Sequence, residues 1–323
     1  VIPNQPPSAR PEALREAEEL HYRLVRSAWA MLATSILLFA ACEGMRDSPE
    51  AVKQPPGRRP TQENESMNRR DAMKLLGIGV AATAVAGTSA TADEKKSESK
   101  DVLMLVYPKF TALDLVGPQH VFSLLEGYRV RLVWKDTKEV VSDTGIPIRP
   151  TMAFKDCPEE PAVLFVPGGT EGTLAAMEDK EVREFLASRG AKAKYVTSVC
   201  TGSLVLSAAG LLKGYKATSH WLALDALKKL GATPVAERVV VDRNRVTGAG
   251  VTAGIDFSLT LAAKLKDEKY AKAVQLMMEY DPQPPFPKDG TPKTADAGNV
   301  KMLRAMTAPF DKNLDAAIKR LAK

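Results

Sequence analysis

The sequence predicts an α/β fold with a mostly parallel central sheet and helices on both faces. Three observations predict it. Continuous apolar runs, DVLMLVY (101–107) and AVLFVPGG, have the length and composition of strands buried on both faces. Helical patterns such as DKEVREFLASRGAKA alternate with strand runs from residue 101 to about residue 281. Two of the strand runs end in a break, one at Gly168-Gly169 and one at Cys200, and ligands in such folds sit at the carboxyl ends of strands.

The elements follow in order. DVLMLVY is the first strand, and TALDLVGPQHVFSLLEG is a helix with Pro118 as a local break. YRVRLVWKD alternates and is the second strand. EVVSDTG and IPIRPT flank a Thr-Gly turn and form a hairpin. AVLFVPGG is a buried strand. DKEVREFLASRGAKA is an amphipathic helix, YVTSV the next central strand, and TGSLVLSAAGLL a small-residue helix able to pack closely on the sheet. HWLALDALKKLG is a further helix closed by Gly231. ERVVVDRNRVTGAG is a hairpin turning at Arg243-Asn244. VTAGIDFSLTLAAKLKD and KYAKAVQLMMEYD are helices. The Pro-rich stretch after Asp281 lies on the surface. A last short helix, about 312–322, packs loosely or contacts a partner.

Composition narrows the function. With 323 residues, 45% of them hydrophobic, the chain can build one substantial core plus tails, or two small domains. The net charge of +6 is spread among interspersed acids with no basic stripe, which argues against nucleic-acid binding. Three cysteines, an odd number, do not make a disulfide framework. Three histidines, His21, His120 and His220, exclude a histidine-rich metal site, and no ligand spacing suggests a mixed one. Neither a metal nor a cofactor is expected.

Residues 1–100 do not read as folded domain. Within 67–92, the twin arginine Arg69-Arg70 precedes an apolar run of small residues and the small-x-small site Ala90-Thr91-Ala92. This is the pattern of a twin-arginine signal peptide, too short and too rich in Gly, Ala and Thr to span a membrane well. It implies an exported, periplasmic protein without a stable membrane span once processed. Residues 1–66 hold a second apolar run ending at Cys42. They are an extension preceding a true start at Met67, a lipoprotein signal with Cys42 as the lipid-bearing residue, or a membrane anchor. Residues 93–100 form a linker, 101–290 the body, and 291–323 a C-terminal tail with a short helix.

The chemistry centres on YVTSVCTGSLVLSAAGLL (195–212). A cysteine at a tight turn between a central strand and a helix projects above the sheet and meets the helix N-terminus, which favours an anion. Cys200 is therefore expected to have a lowered pKa and thiolate character. The alternative is a buried structural cysteine. Gly202 and Ser203 are small, as a crowded turn requires.

The segment SVCTGSLVLSAAGLLKGYKATSHW resembles the cysteine elbow of the DJ-1/PfpI superfamily, and in particular bacterial isocyanide (isonitrile) hydratases. The similarity continues through LDLVGPQHVF, VWKD, FKDCP, FVPGG, GVTAGIDFSLTLAA and VQLMMEYDPQPPF, covering about residues 101–290. It implies a flavodoxin-like sandwich and a homodimer. Similar segments occur in the sensor domains of AraC-type regulators, but the residues that follow here are too few for their helix-turn-helix region. PfpI-like peptidases place histidine directly after the cysteine, where this chain has Thr201. Glutamine amidotransferases need a late His-Glu pair, which is not visible. Many DJ-1-like members bring a glutamate to the thiol from the first helix, and the matching acid here is Asp114, as in the isocyanide hydratases.

The resemblance implies hydration of an isocyanide, or a similar small electrophile, to an N-substituted formamide. Cys200 attacks as thiolate to give a thioimidate, and Asp114 carries the proton, its pKa raised by an apolar pocket. Thr201, through its amide or hydroxyl, steadies the intermediate, as does the Gly169 amide beside Gly168. Duller roles stand beside these. Asp114 is alternatively a helix cap, Thr201 an ordinary first-turn residue, Gly168 and Gly169 a tight turn, and His220 a packed residue rather than a pocket group. Cys157 is a buried spectator or a disulfide partner of Cys200. The alternative functions are a redox or ligand sensor using the same thiol, or a glyoxalase or deglycase.

Overall fold

The structure is a computed structural model and describes residues 100–322. The expected leader segments, 1–66 and 67–92, and most of the 93–100 linker lie outside the described residues. Among the described residues no helix is long and apolar enough to cross a membrane.

A seven-stranded sheet forms the centre. In chain order its strands are β1 (Asp101–Leu105), β2 (Arg129–Trp134), β5 (Met152–Ala153), β6 (Val163–Val166), β7 (Tyr195–Val199), β10 (Val239–Asp242) and β11 (Arg245–Gly248). The short pairs β3 (Val140–Val141) with β4 (Pro147–Ile148), and β8 (Lys216–Ala217) with β9 (Thr233–Pro234), lie apart from it. The spatial order is β10-β11-β7-β6-β1-β2-β5, parallel except for the β10–β11 hairpin. The continuous apolar runs occupy the middle. Val102 to Val106 and Val163 to Val166 are fully buried. Fully burying each such side chain contributes about 1.5–3 kcal/mol.

The helices fall into two packed groups, one per face. In the first are α1 (Ala112–Ser123), α6 (Ala253–Leu265) and α7 (Glu268–Met277). In the second are α2 (Thr170–Glu178), α3 (Lys180–Lys192), α4 (Gly202–Ala208), α5 (Ala226–Lys229) and α8 (Ala297–Leu321). Phe165 of β6 pins the first group. Its ring lies 6.4 Å from Phe122 of α1 and 5.8 Å from Phe257 of α6. Such aromatic pairs add about 0.5–1.5 kcal/mol beyond burial.

Four elements differ from expectation. Pro118 does not break α1, which runs through it. The ring packs on Gly254 of α6, where a Cβ would come within 3.1 Å of Pro118 Cγ, so close helix packing offsets the lost donor. Residues 221–225 are turns, leaving only the short α5 of the helix expected there. Helix α2 was not expected, because its small residues carry little apolar periodicity. The C-terminal helix is 25 residues long, not a short tail helix, and Leu314 and Ala317 on it are buried.

Three neighbouring central strands deliver the candidate site. The chain leaves β1 toward Asp114, β6 toward Gly168 and β7 toward Cys200, all at the carboxyl ends.

Candidate active site

Cys200 occupies the first position after β7 with φ 57°, a left-handed conformation that non-glycine residues rarely adopt. Its surroundings over-determine it. The Cys200 amide donates to the carbonyls of Gly248 (3.1 Å) and Ala249 (2.7 Å). Its carbonyl accepts from Ser203 Oγ (3.2 Å) and Ser219 Oγ (3.1 Å). Gly202 lets the chain turn into α4 against β6, since a Cβ there would meet the Val166 carbonyl oxygen at 2.2 Å.

Asp114 is fully buried in the first turn of α1. It does not cap the helix. The Ala112 amide is taken by Asp143 Oδ1 at 3.1 Å, from the loop between β3 and β4. Asp114 Oδ2 instead accepts the Gly168 amide at 2.9 Å. Its Oδ1 is buried without a well-aligned hydrogen bond, and the carboxyl interacts with the Cys200 thiol. Gly168 makes this approach possible. A Cβ there would lie 2.6 Å from Asp114 Oδ2 and 2.8 Å from Cys200 Cβ.

Burial lifts the Asp114 pKa to about 7, against the opposing pull of the Gly168 amide and the thiol. The Cys200 pKa is also raised, not lowered as its place at a helix start suggested. Burial is the first cause and the Asp114 charge the second, and both outweigh the Thr201 amide that favours thiolate. At rest the pair is a thiol beside a carboxyl poised near neutrality.

Thr201 differs from expectation in its hydroxyl. Thr201 Oγ1 accepts the Gly169 amide at 3.0 Å and lies 2.8 Å from Thr173 Oγ1. Thr173 Oγ1 lies 3.3 Å from the Tyr107 hydroxyl, which donates to the Pro167 carbonyl at 2.8 Å. The Thr201 hydroxyl also reaches the Gly169 carbonyl at 3.2 Å, so it sits in a network with Gly169, Thr173, Tyr107 and Pro167. The hydroxyl of Thr201 and the amides of Gly168 and Gly169 are thus engaged within the protein. The Thr201 amide, by contrast, interacts with the sulfur.

The thiol opens on a cavity of about 160 Å³. His220 lines it, with its pKa lowered by burial, and is therefore neutral near pH 7. Its Nδ1 accepts the Leu222 amide at 3.4 Å, which leaves the proton on Nε2. The cavity walls carry no acid or base other than Cys200 and His220, and Thr307 and Phe310 of α8 complete them. Cys157 and Cys200 are both free, so no disulfide joins them. Cys157 donates to the Ala153 carbonyl, and burial raises its pKa to about 11. Among the described residues no three His, Cys, Asp or Glu side chains gather as metal ligands.

The model of the DJ-1/PfpI family matches residues 100–264. The chain belongs to the DJ-1/PfpI family. Among DJ-1/PfpI relatives, an isonitrile hydratase of Pseudomonas putida is 51% identical over 205 residues, covering 64% of this chain and 89% of that protein. The crystal structure of a ThiJ/PfpI family protein from Pseudomonas syringae matches with a TM-score of 0.67 and 50% identity, over 72% of this chain and 97% of that one. The HTH-type transcriptional regulator GbdR of Pseudomonas aeruginosa is 30% identical over 185 residues, but this chain spans only half of its length.

Within this DJ-1/PfpI domain, Asp114, Gly168, Gly169, Cys200, Thr201 and His220 come together at one end of the sheet. Sequence reasoning missed Tyr107, Thr173, Thr307 and Phe310. A signal existed for Tyr107, a polar tip ending an otherwise apolar strand run. None existed for Thr173, in a helix of weak periodicity, nor for the two α8 residues, which are far away in sequence.

Proposed function

We propose that this chain is a cysteine-dependent hydratase that adds water to an isocyanide, giving an N-substituted formamide. The observation that carries this reading is the buried Asp114 carboxyl, held by Gly168 beside the Cys200 thiol, whose other side opens on a small, uncharged cavity. The 51% identity to an isonitrile hydratase supports it.

The Asp114 carboxylate takes the thiol proton as sulfur attacks the terminal carbon of R–N≡C, forming the C–S bond. Asp114 returns that proton to the same carbon, giving the thioimidate R–N=CH–S–Cys. Water then adds to this carbon, losing a proton to Asp114, which passes it to nitrogen. Loss of the hydroxyl proton to Asp114 forms the carbonyl and breaks the C–S bond. R–NH–CHO leaves, and Asp114 restores the proton to sulfur. A carboxyl with a pKa of about 7 suits repeated transfers in both directions at neutral pH. The Thr201 amide stabilises negative charge on sulfur as it attacks and leaves. His220, with its proton on Nε2, holds the attacking water.

Sensing of oxidants would call for an accessible thiolate. Burial and the Asp114 charge favour the thiol instead, which supports the hydratase over the sensor reading. The test is to incubate purified protein with a simple alkyl isocyanide and to measure formamide. Turnover is expected from the native protein and none from Cys200→Ala. Formamide production that survives in Cys200→Ala overturns the assignment.

A further inference from the structure

Helix α8 docks through one stripe. Phe310, Leu314, Ala317, Ile318 and Leu321 recur at three- and four-residue spacing and pack on the core. Two ion pairs hold this half of the helix, Arg320 to Glu178 of α2 and Asp315 to Lys229 of α5. Followed one turn toward the N-terminus, the stripe passes from the core to the cavity. Phe310 and Thr307, three residues apart, face the space in front of the Cys200 thiol.

That position limits what the cavity admits. The reacting carbon must lie at the sulfur, with Asp114 on its buried side. An isocyanide is linear from carbon through nitrogen to its substituent. The substituent therefore points away from the sulfur into the rest of the cavity, where Leu222, Ala223, Val251 and Phe310 supply apolar surface. No lining side chain carries a full charge, given a neutral His220. A charged substituent would be desolvated there without a partner.

We propose that Phe310 and Thr307 form the specificity wall of the site, so that α8 sets the size of the uncharged, apolar substituent accepted. This deepens the hydratase reading and rests on it. Phe310 and Thr307 are positioning residues here and take no part in proton transfer.

The test measures kcat/KM for straight-chain alkyl isocyanides, from methyl to hexyl, in the native protein, Phe310→Ala and Phe310→Trp. Removing the ring is expected to raise the hexyl-to-ethyl ratio of kcat/KM about 10-fold or more, and Trp is expected to lower it, on the scale that a few methylenes in a pocket command. A ratio unchanged within about twofold in both variants overturns the proposal. A second readout is independent of hydration. Alkylation of Cys200 by N-methylmaleimide and N-hexylmaleimide is followed on its own peptide by mass spectrometry, with buried Cys157 as internal reference. Phe310→Ala is expected to narrow the methyl-to-hexyl rate gap several-fold, and an unchanged gap counts against the wall. If the native protein hydrates no isocyanide, the functional reading fails, while the alkylation ratios still decide whether α8 gates the thiol. Should Phe310→Ala not fold, Thr307→Leu serves: it is expected to exclude the hexyl reagents selectively, and equal rates for both chain lengths overturn the proposal.

Discussion

The Gly168 amide donates to Asp114 Oδ2 at 2.9 Å and so fixes the carboxyl beside the Cys200 thiol. The donor belongs to the turn after β6, the acid to the helix after β1 and the sulfur to the turn after β7. The proposed chemistry depends on keeping these three turns in register.

Asp114→Asn removes the proposed proton carrier while keeping the shape. The expected outcome is a loss of about 10²–10⁴ in kcat, the usual contribution of a positioned acid–base group. Single-turnover formamide production checks it, and activity equal to the native protein rules out the proton role.

The pH profile follows from the same group. In the proposed mechanism, attack requires the Asp114 carboxylate to accept the thiol proton. kcat/KM is therefore expected to fall tenfold per pH unit below about 7 and to level off above it. The acid limb should be absent from any residual activity of Asp114→Asn.

Stability carries the opposite sign. The folded-state pKa of Asp114 is raised from 3.8 to about 7, so between these values the native state holds a proton that the unfolded chain has lost. This group's contribution to stability is greatest below pH 3.8 and falls as pH rises toward 7. At about 1.4 kcal/mol per pH unit the loss is bounded near 4 kcal/mol. Asp114→Asn is expected to gain stability on the native protein between pH 4 and pH 8. Urea melts at both pH values measure the change, and a gap constant with pH refutes it.

Gly168→Ala tests the close approach. A Cβ within 2.6 Å of Asp114 Oδ2 and 2.8 Å of Cys200 Cβ must push the two groups apart. The expected cost is about 1–3 kcal/mol, as for other overpacked sites, with loss of most activity. Thermal melts beside kcat give both numbers.

Thr201→Val separates the hydroxyl from the amide. It leaves the Gly169 amide and the Thr173 hydroxyl short of a partner, at about 1–3 kcal/mol. The backbone amide at 201 stays, so activity is expected to fall but not to vanish, and Thr201→Ser should restore it. Abolition of activity in the serine variant would contradict the clamp role.

Much of this was legible in the sequence. The apolar runs of β1, β6 and β7 specify buried parallel strands because both faces are covered, and their breaks at Gly168 and Cys200 mark the site. Asp114 stood out only through the resemblance, since an acid in a first helical turn reads equally as a cap until Asp143 is seen to take that task. The acidity of Cys200 was misjudged because a motif displays the local dipole and hides burial. Thr173, Thr307 and Phe310 were illegible for a different reason. Their roles exist only once α2 and α8 fold back over the turn at 200, and no short-range pattern encodes that contact.

The left-handed backbone at Cys200, gripped by two carbonyls and two serines, has a consequence for handling the protein. Its sulfur is less ionised when folded than when the chain is open, so denaturation should make it easier, not harder, to alkylate. Loss of native packing would register as faster labelling of the Cys200 peptide, which makes this thiol a reporter of its own shelter.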